Sequence, residues 1–345
     1  MPSIATPRAT PRATPGKTSV HASPTVQLVS DVHAEHGPHA MPDPDDIRTN
    51  ADIVVFAGDV DTASRSMDTA CGLAGPDAAV IAIAGNHEHY GTGLTLDQAH
   101  ALMRAKAVSI SRQRMAPFMF LEDEEAVLDV RGVAVRVLGC TLWTNCALFG
   151  NPVMHELAVM GLKDYQRITG QDAEMQTGNA DMQMPWHVDD APAVPFTVSE
   201  SRARHARSRA FLEEALSRPH DGPTLVVTHH LPSMRSVMPH YRSSAMSAGF
   251  ASNLDELVGM DSIPPDGQAQ RRAVTLWMHG HTHSSAGWRH RDGAFVACNP
   301  MGYPLKGRRG DYIRGNPHWN PNLLIRLSRQ GDGQWRALPV RDADI

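Results

Sequence analysis

The chain has 345 residues, of which 41% are hydrophobic, enough for one large core or two small ones. Its net charge of -5 gives no basic footprint, so nucleic acid is not favoured as a partner. Its four cysteines are widely spaced and form no C-x-x-C pair, which suggests a reducing, cytoplasmic setting and no sulfur-ligated zinc. No apolar run approaches the ~18 residues of a membrane span, and with 19 histidines only a patterned histidine carries weight.

In chain order, residues 1–24 repeat Ala-Thr-Pro-Arg and read as a solvated tail ahead of one folded domain, 25–345. Residues 25–30 read as a strand that delivers Asp31 and His33. Two positions apart on extended chain, these face one way and make a sound pair of divalent-metal ligands. Residues 51–57 form a nearly continuous apolar strand that ends in Gly58-Asp59, with Asp61 two residues on. A helix is expected over 62–77. The next strand, 80–84, is again uncharged and apolar, as in a sheet covered on both faces. It ends at Gly85, read as a sharp turn, and is followed at once by Asn86, His87 and Glu88.

A second helix is expected over 94–114, giving the strand-helix-strand alternation of βαβ units. Residues 118–121 and 126–130 resemble a pair of strands, and Arg131-Gly132 turns into a further strand over 133–140. From about 150 to 199 the pattern is irregular, with Met, Gln and Pro. A segment this long suggests an insertion over the site that shapes substrate choice, with Tyr165 and Arg167 as contacts. A charged amphipathic helix follows over 199–217. Two more buried strands, 224–228 and 274–278, end in His229-His230 and in His279-Gly280-His281-Thr282-His283. Residues 288–300 read as closing strands of a second sheet, and 322–327 as the last strand.

Five strand ends thus carry Asp31-x-His33, Gly58-Asp59, Gly85-Asn86-His87-Glu88, His229 and Gly280-His281-x-His283. In open α/β sheets ligands bind at the C-terminal ends of strands. In this order the five motifs resemble the calcineurin-like metallophosphoesterase family over residues 26–302, and the segment from His279 to Tyr303, with its Cys298-Asn299-Pro300, resembles soluble bacterial members in particular. The resemblance implies a four-layer α/β/β/α sandwich, two mixed sheets flanked by helices, that holds two divalent metals. Metal one would take Asp31, His33, Asp59 and His283. Metal two would take Asp59, Asn86, His229 and His281, with Asp59 bridging. His229 rather than His230 aligns with the ligand position, which leaves His230 to touch phosphate. His87 remains as a phosphate contact or general acid. Many relatives carry an Asp three residues after the bridging one. Here Thr62 stands there, which puts in doubt the Asp-His87 pairing known from those relatives.

Oxygen and imidazole ligands without thiolate suit Mn, Fe or Zn. Two such ions can activate a water and clamp a phosphoryl group. The expected reaction is hydrolysis of a phosphomonoester or phosphodiester, on a small phosphorylated metabolite or nucleotide. Two rivals are a non-catalytic scaffold that kept the fold for protein binding, and a mononuclear zinc hydrolase. The first would have shed ligands. The second needs only three and leaves the other strand-end residues without a role.

Overall fold

The computed structural model describes residues 23–38, 41–42, 47, 50–171, 194–262, 271–307 and 312–340. Nearly all of the expected tail, and residues 172–193 of the expected insertion, lie outside the described residues. Two six-stranded mixed sheets form the centre. The first runs in the order β16 (Trp335–Pro339), β15 (Leu324–Arg329), β1 (Thr25–Val29), β2 (Ile53–Ala57), β3 (Ala79–Ile83), β4 (Phe118–Phe120). The second runs β11 (Ala286–Arg289), β12 (Phe295–Cys298), β10 (Leu276–His279), β7 (Thr224–Thr228), β6 (Val133–Cys140), β5 (Glu124–Val130). β1 to β4 are mutually parallel, as are β6, β7, β10 and β12. Among the described residues two short ribbons complete the strands, β8 (Asp261–Ser262) with β9 (Arg271–Arg272) and β13 (Pro304–Lys306) with β14 (Tyr312–Arg314).

The period of two in a strand decides the layering. Ile53, Val55, Ala57, Ile81 and Ile83 face inward and meet Val135, Val137, Leu225, Val227, Leu276 and Met278 of the other sheet. Their alternates Val54, Phe56, Val80 and Ala82 face outward onto helices Arg65–Leu73 and Leu96–Ser111, through Met67, Leu73, Ala99 and Met103. The second sheet's outer face, Leu138, Val226 and Trp277, packs on Leu212, Ala215 and Leu216 of helix Val198–Ser217. The result is the expected four-layer α/β/β/α sandwich.

The pairing of 118–121 with 126–130 is corrected. β4 pairs with β3 in parallel, at Val80 opposite Phe118. β5 pairs with β6, at Val130 opposite Val133. Both segments are apolar, and periodicity does not say which sheet each joins. Three smaller differences have local causes. The helix expected from 94 starts at Leu96, because Thr95 and Gln98 close a capping box. The segment after 150 contains a helix, Pro152–Val159, with Asn151 as N-cap and Pro152 in the first turn. β16 follows a Gly-Asp-Gly turn at 331–333 that marks a hairpin.

Ile81 lies fully buried between the sheets, whereas Leu102 is 47% exposed. Ile81→Ala is expected to lower the unfolding free energy by about 2–5 kcal/mol, and Leu102→Ala to change it by less than about 0.5 kcal/mol. Urea unfolding checks both.

Candidate metal centre

All the strand-end residues gather along one edge of the sandwich. β1, β2 and β3 bring Asp31, His33, Asp59 and Asn86 from the first sheet. β7 and β10 bring His229, His281 and His283 from the second. Asp31, His33, Asp59, His281 and His283 all have positive φ, between 48° and 69°. Non-glycine residues visit that region at a cost, and such strain collects at functional sites.

Two groups of metal-type donors share Asp59. Asp31, His33, Asp59 and His283 converge in the first, and Asp59, His229 and His281 in the second. In the first, His33 Nε2 lies 3.0 Å from His283 Nε2 and 3.8 Å from Asp59 Oδ2. His283 Nε2 lies 3.3 Å from Asp31 Oδ1. In the second, His229 Nε2 lies 3.0 Å from Asn86 Oδ1, 3.2 Å from His281 Nδ1 and 3.4 Å from Asp59 Oδ2.

The surroundings aim these atoms. His229 Nδ1–H donates to the Ala57 carbonyl (2.8 Å), which turns Nε2 into the site. Asn86 Nδ2 donates to Asp164 Oδ1 (2.8 Å) and to Tyr90 Oη (3.1 Å), which leaves Oδ1 facing His229. The Asp31 carboxylate accepts the His281 backbone N–H at 3.0 Å, and Asp59 Oδ1 accepts that of His87 at 2.8 Å.

The electrostatics favour positive charge. Burial pushes the Asp59 carboxyl up, but His229 and His87 pull it well below its usual range. Burial pushes His229 down, but the Asp59 and Asp31 carboxylates raise it to about 10. Their field at its Nε2 favours a cation, whether a proton or a metal ion. Carboxylate, amide oxygen and imidazole, clustered without thiolate, form a donor set that fits divalent metals.

The model of the family described as calcineurin-like phosphoesterase matches residues 25–285. The chain belongs to this family. Among solved structures it resembles the phosphopantetheinyl hydrolase of Mycobacterium tuberculosis. That match has TM-score 0.55 and 15% identity, and covers 87% of this chain and 99% of the other. A Thermus thermophilus protein (TM-score 0.40, 12% identity) covers 85% of this chain and 99% of its own. A dimetal phosphatase from Danio rerio (TM-score 0.38, 11% identity) covers 89% and 92%. No curated protein sequence gives a significant match.

Within this calcineurin-like site, His87 finds a different carboxylate from the one whose absence the sequence revealed. Asp61 turns away to Arg65 (2.9 Å) and Thr69 Oγ1 (3.2 Å). Glu35 stands in: its Oε1 accepts His87 Nδ1–H at 2.8 Å and His33 Nδ1–H at 2.9 Å. Burial works against the Glu35 carboxylate, yet these two hydrogen bonds hold it down to about 2. Burial pushes His87 down, but Asp59 and Glu35 more than offset this and raise it. On its other side His87 Nε2 meets Tyr303 Oη at 2.9 Å.

Two expected substrate contacts are corrected. Tyr165 is 4% exposed and its ring stacks on Phe196 in an apolar cluster. The short helix Asp164–Arg167 turns Asp164 toward Asn86, and consecutive residues on a helix cannot share a face. His230 is 1% exposed, with Nδ1 on the Thr141 carbonyl and its ring against Trp143 and His281. Burial and His229 push it down to about 3, so it backs His281 as a neutral ring. Arg167 lines an open cavity of about 380 Å³ with Lys163, His36 and His87.

Glu35, Glu88, Tyr90, Asp164 and Tyr303 went unassigned in the sequence. Glu88 alone had a signal, directly beside His87. It is fully buried: Oε2 accepts the backbone N–H groups of Gly85 (2.7 Å) and Asp59 (3.0 Å), and Oε1 that of Val60 (2.9 Å). Burial and the Asp59 carboxylate push it up to about 8, against those backbone donors. Gly85 proves to be a close approach rather than a left-handed turn, since a Cβ there would sit 2.2 Å from Asp59 Oδ1.

Gly85→Ala is expected to displace Asp59 and to lower metal content below that of the wild type, read by elemental analysis. Glu88→Ala strands buried N–H groups that each cost about 1–3 kcal/mol unpaired. Its thermal midpoint should fall in the metal-free protein too, which calorimetry measures.

Proposed function

We propose that this protein hydrolyses a phosphoester with two divalent metal ions, one held by Asp31, His33, Asp59 and His283 and the other by Asp59, Asn86, His229 and His281. The observation that carries this reading is the pair of donor groups that share Asp59. Its two oxygens let it serve both. A mononuclear site would leave one group without a purpose. The ions when bound supply Lewis-acid activation of water and neutralise charge on the phosphoryl oxygens.

The chain's own residues supply orientation and a proton. A water oxygen forms a bond to phosphorus and loses a proton to solvent, the ester P–O bond breaks, and the departing oxygen takes a proton and leaves as an alcohol. His87 borders the cleft next to Asp59 and Asn86, so it is the group that gives that oxygen its proton. Glu35 holds the Nδ1–H, which leaves the Nε2–H at Tyr303 Oη free to swing to the substrate. Lys163 and Arg167, which line the adjoining cavity beside His87, offer cations to the phosphate end of the substrate.

Asp59→Asn should weaken both metals, whereas His33→Ala should weaken chiefly one. Two ions and full phosphatase activity in Asp59→Asn, by elemental analysis and assay, would sink the assignment.

His87→Ala should keep both metals and lose roughly 10²–10⁴ in rate on alkyl esters. It should lose far less on p-nitrophenyl esters, whose leaving group is stable without a proton. Equal losses in kcat/KM on the two substrates would reduce His87 to a phosphate contact.

A further inference from the structure

One cleft of about 500 Å³ opens directly on the donors, with Asp59, Asn86, His281 and His283 in its floor. That volume suits a ligand well beyond a bare phosphate. Its walls are formed largely by Leu162, Leu231, Val237, Met238, Met246 and Phe250. Histidines aside, Lys163 is the single cation among the described residues that line it.

The wall is apolar for a structural reason. Residues 231–250 run as successive 3-10 turns, Met234–Ser236, Pro239–Tyr241 and Ala245–Gly249. Their backbone N–H groups are consumed within the segment: Val237 donates to Met234, Tyr241 to Met238, Ser247 to Ser244 and Phe250 to Ser247. The Ser247 hydroxyl donates to the Tyr241 carbonyl. What this segment turns to the cleft is therefore mainly side-chain hydrocarbon, from Leu231, Val237, Met238, Met246 and Phe250, with Tyr241, Ser244 and Ser247 between them. Ser236 anchors the segment, since its Oγ meets His279 Nε2 (2.9 Å) and accepts from Trp288 Nε1 (3.0 Å).

The apolar wall also reaches the donors. The Phe250 ring stacks on His281 with centroids 4.4 Å apart. At the far rim Tyr241 and Met246 remain 55% and 44% exposed. Large apolar side chains left at the mouth of a cleft mark a surface meant for a ligand. Two methionines in the wall, Met238 and Met246, let it adapt to a flexible chain.

We infer that the substrate is a phosphoester whose leaving arm is an uncharged, mainly apolar chain, laid along this cleft from the metal centre toward Tyr241 and Met246. The inference rests on the phosphoesterase reading and narrows it. Nucleoside polyphosphates fit poorly, because a further phosphate would find, histidines aside, only Lys163 as a cation among the described residues that line this cleft. His87 lines the same cleft, so the ester oxygen and the arm attached to it lie on the side from which the proton comes.

Binding of alkylphosphonates separates the arm from the chemistry. Methyl-, butyl- and octylphosphonate are titrated into the Mn-loaded protein by calorimetry, and p-nitrophenyl phosphate turnover is measured alongside. The Kd should fall about two- to fourfold per added methylene. Met246→Asp and Tyr241→Asp, at exposed rim positions, should abolish most of that gain. The readout is the slope of Kd against chain length within each variant, with methylphosphonate as the armless reference. A Kd that is flat with chain length overturns the inference even if turnover is brisk. So does a gain that survives undiminished in both variants. A rising affinity in a protein that turns over no ester upholds the apolar cleft and removes the hydrolase reading instead.

Discussion

The Glu88 carboxylate accepts three backbone N–H groups from two different strand ends, Asp59 and Val60 after β2 and Gly85 after β3. Those strands are parallel neighbours, and nothing in their ladder fixes how the chain leaves them. The buried carboxylate does, by replacing water at three donors that the sheet has stopped satisfying. With the exits fixed, Asp59 Oδ1 accepts from His87, and Asn86 comes within reach of His229. The site's geometry thus depends on a carboxyl group that lies behind the donors. Burial and the Asp59 carboxylate push that group up to about 8, so it acts through its hydrogen bonds, and the charge a cation answers at this edge is that of Asp31 and Asp59.

The left-handed backbone at Asp31, His33, Asp59, His281 and His283 is the conformational counterpart. A strand that continued regularly would send alternate side chains to opposite faces. A left-handed residue breaks that alternation and lets consecutive ligands converge. Sheet pairing on either side over-determines the strained residues, as when Asp31 N donates to the Gly58 carbonyl and His33 N to Asp59.

Much of this was legible in the sequence because the donors sit at the ends of apolar strands, and a strand end is easy to see. Asp31, His33, Asp59, Asn86, His229, His281 and His283 are brought together as the motif order implied. What surrounds them was not legible. Glu35 and Tyr303 are neighbours of His87 only through space, at separations in sequence no period records. Tyr165 misled because a short helix decides which of two adjacent residues faces the site. β4 and β5 misled because an apolar run does not name the sheet it joins. The apolar wall of the cleft came from 3-10 turns in a stretch whose sequence, Met-Pro-His-Tyr-Arg-Ser-Ser, carries no helical or strand period.

The donors span the chain from residue 31 to residue 283 and come from both sheets. Neither of the two donor groups that share Asp59 is complete within one contiguous segment. A growing chain on the ribosome therefore completes neither group until β10 and the loop after it have emerged and the second sheet has closed on the first. Metal cannot serve as the nucleus of folding, as it does in small zinc modules whose ligands lie close together. A metal held by these donors would arrive last, at a framework built without it. Its identity would then be set by the pool the finished protein meets, and not by whatever is present where synthesis begins.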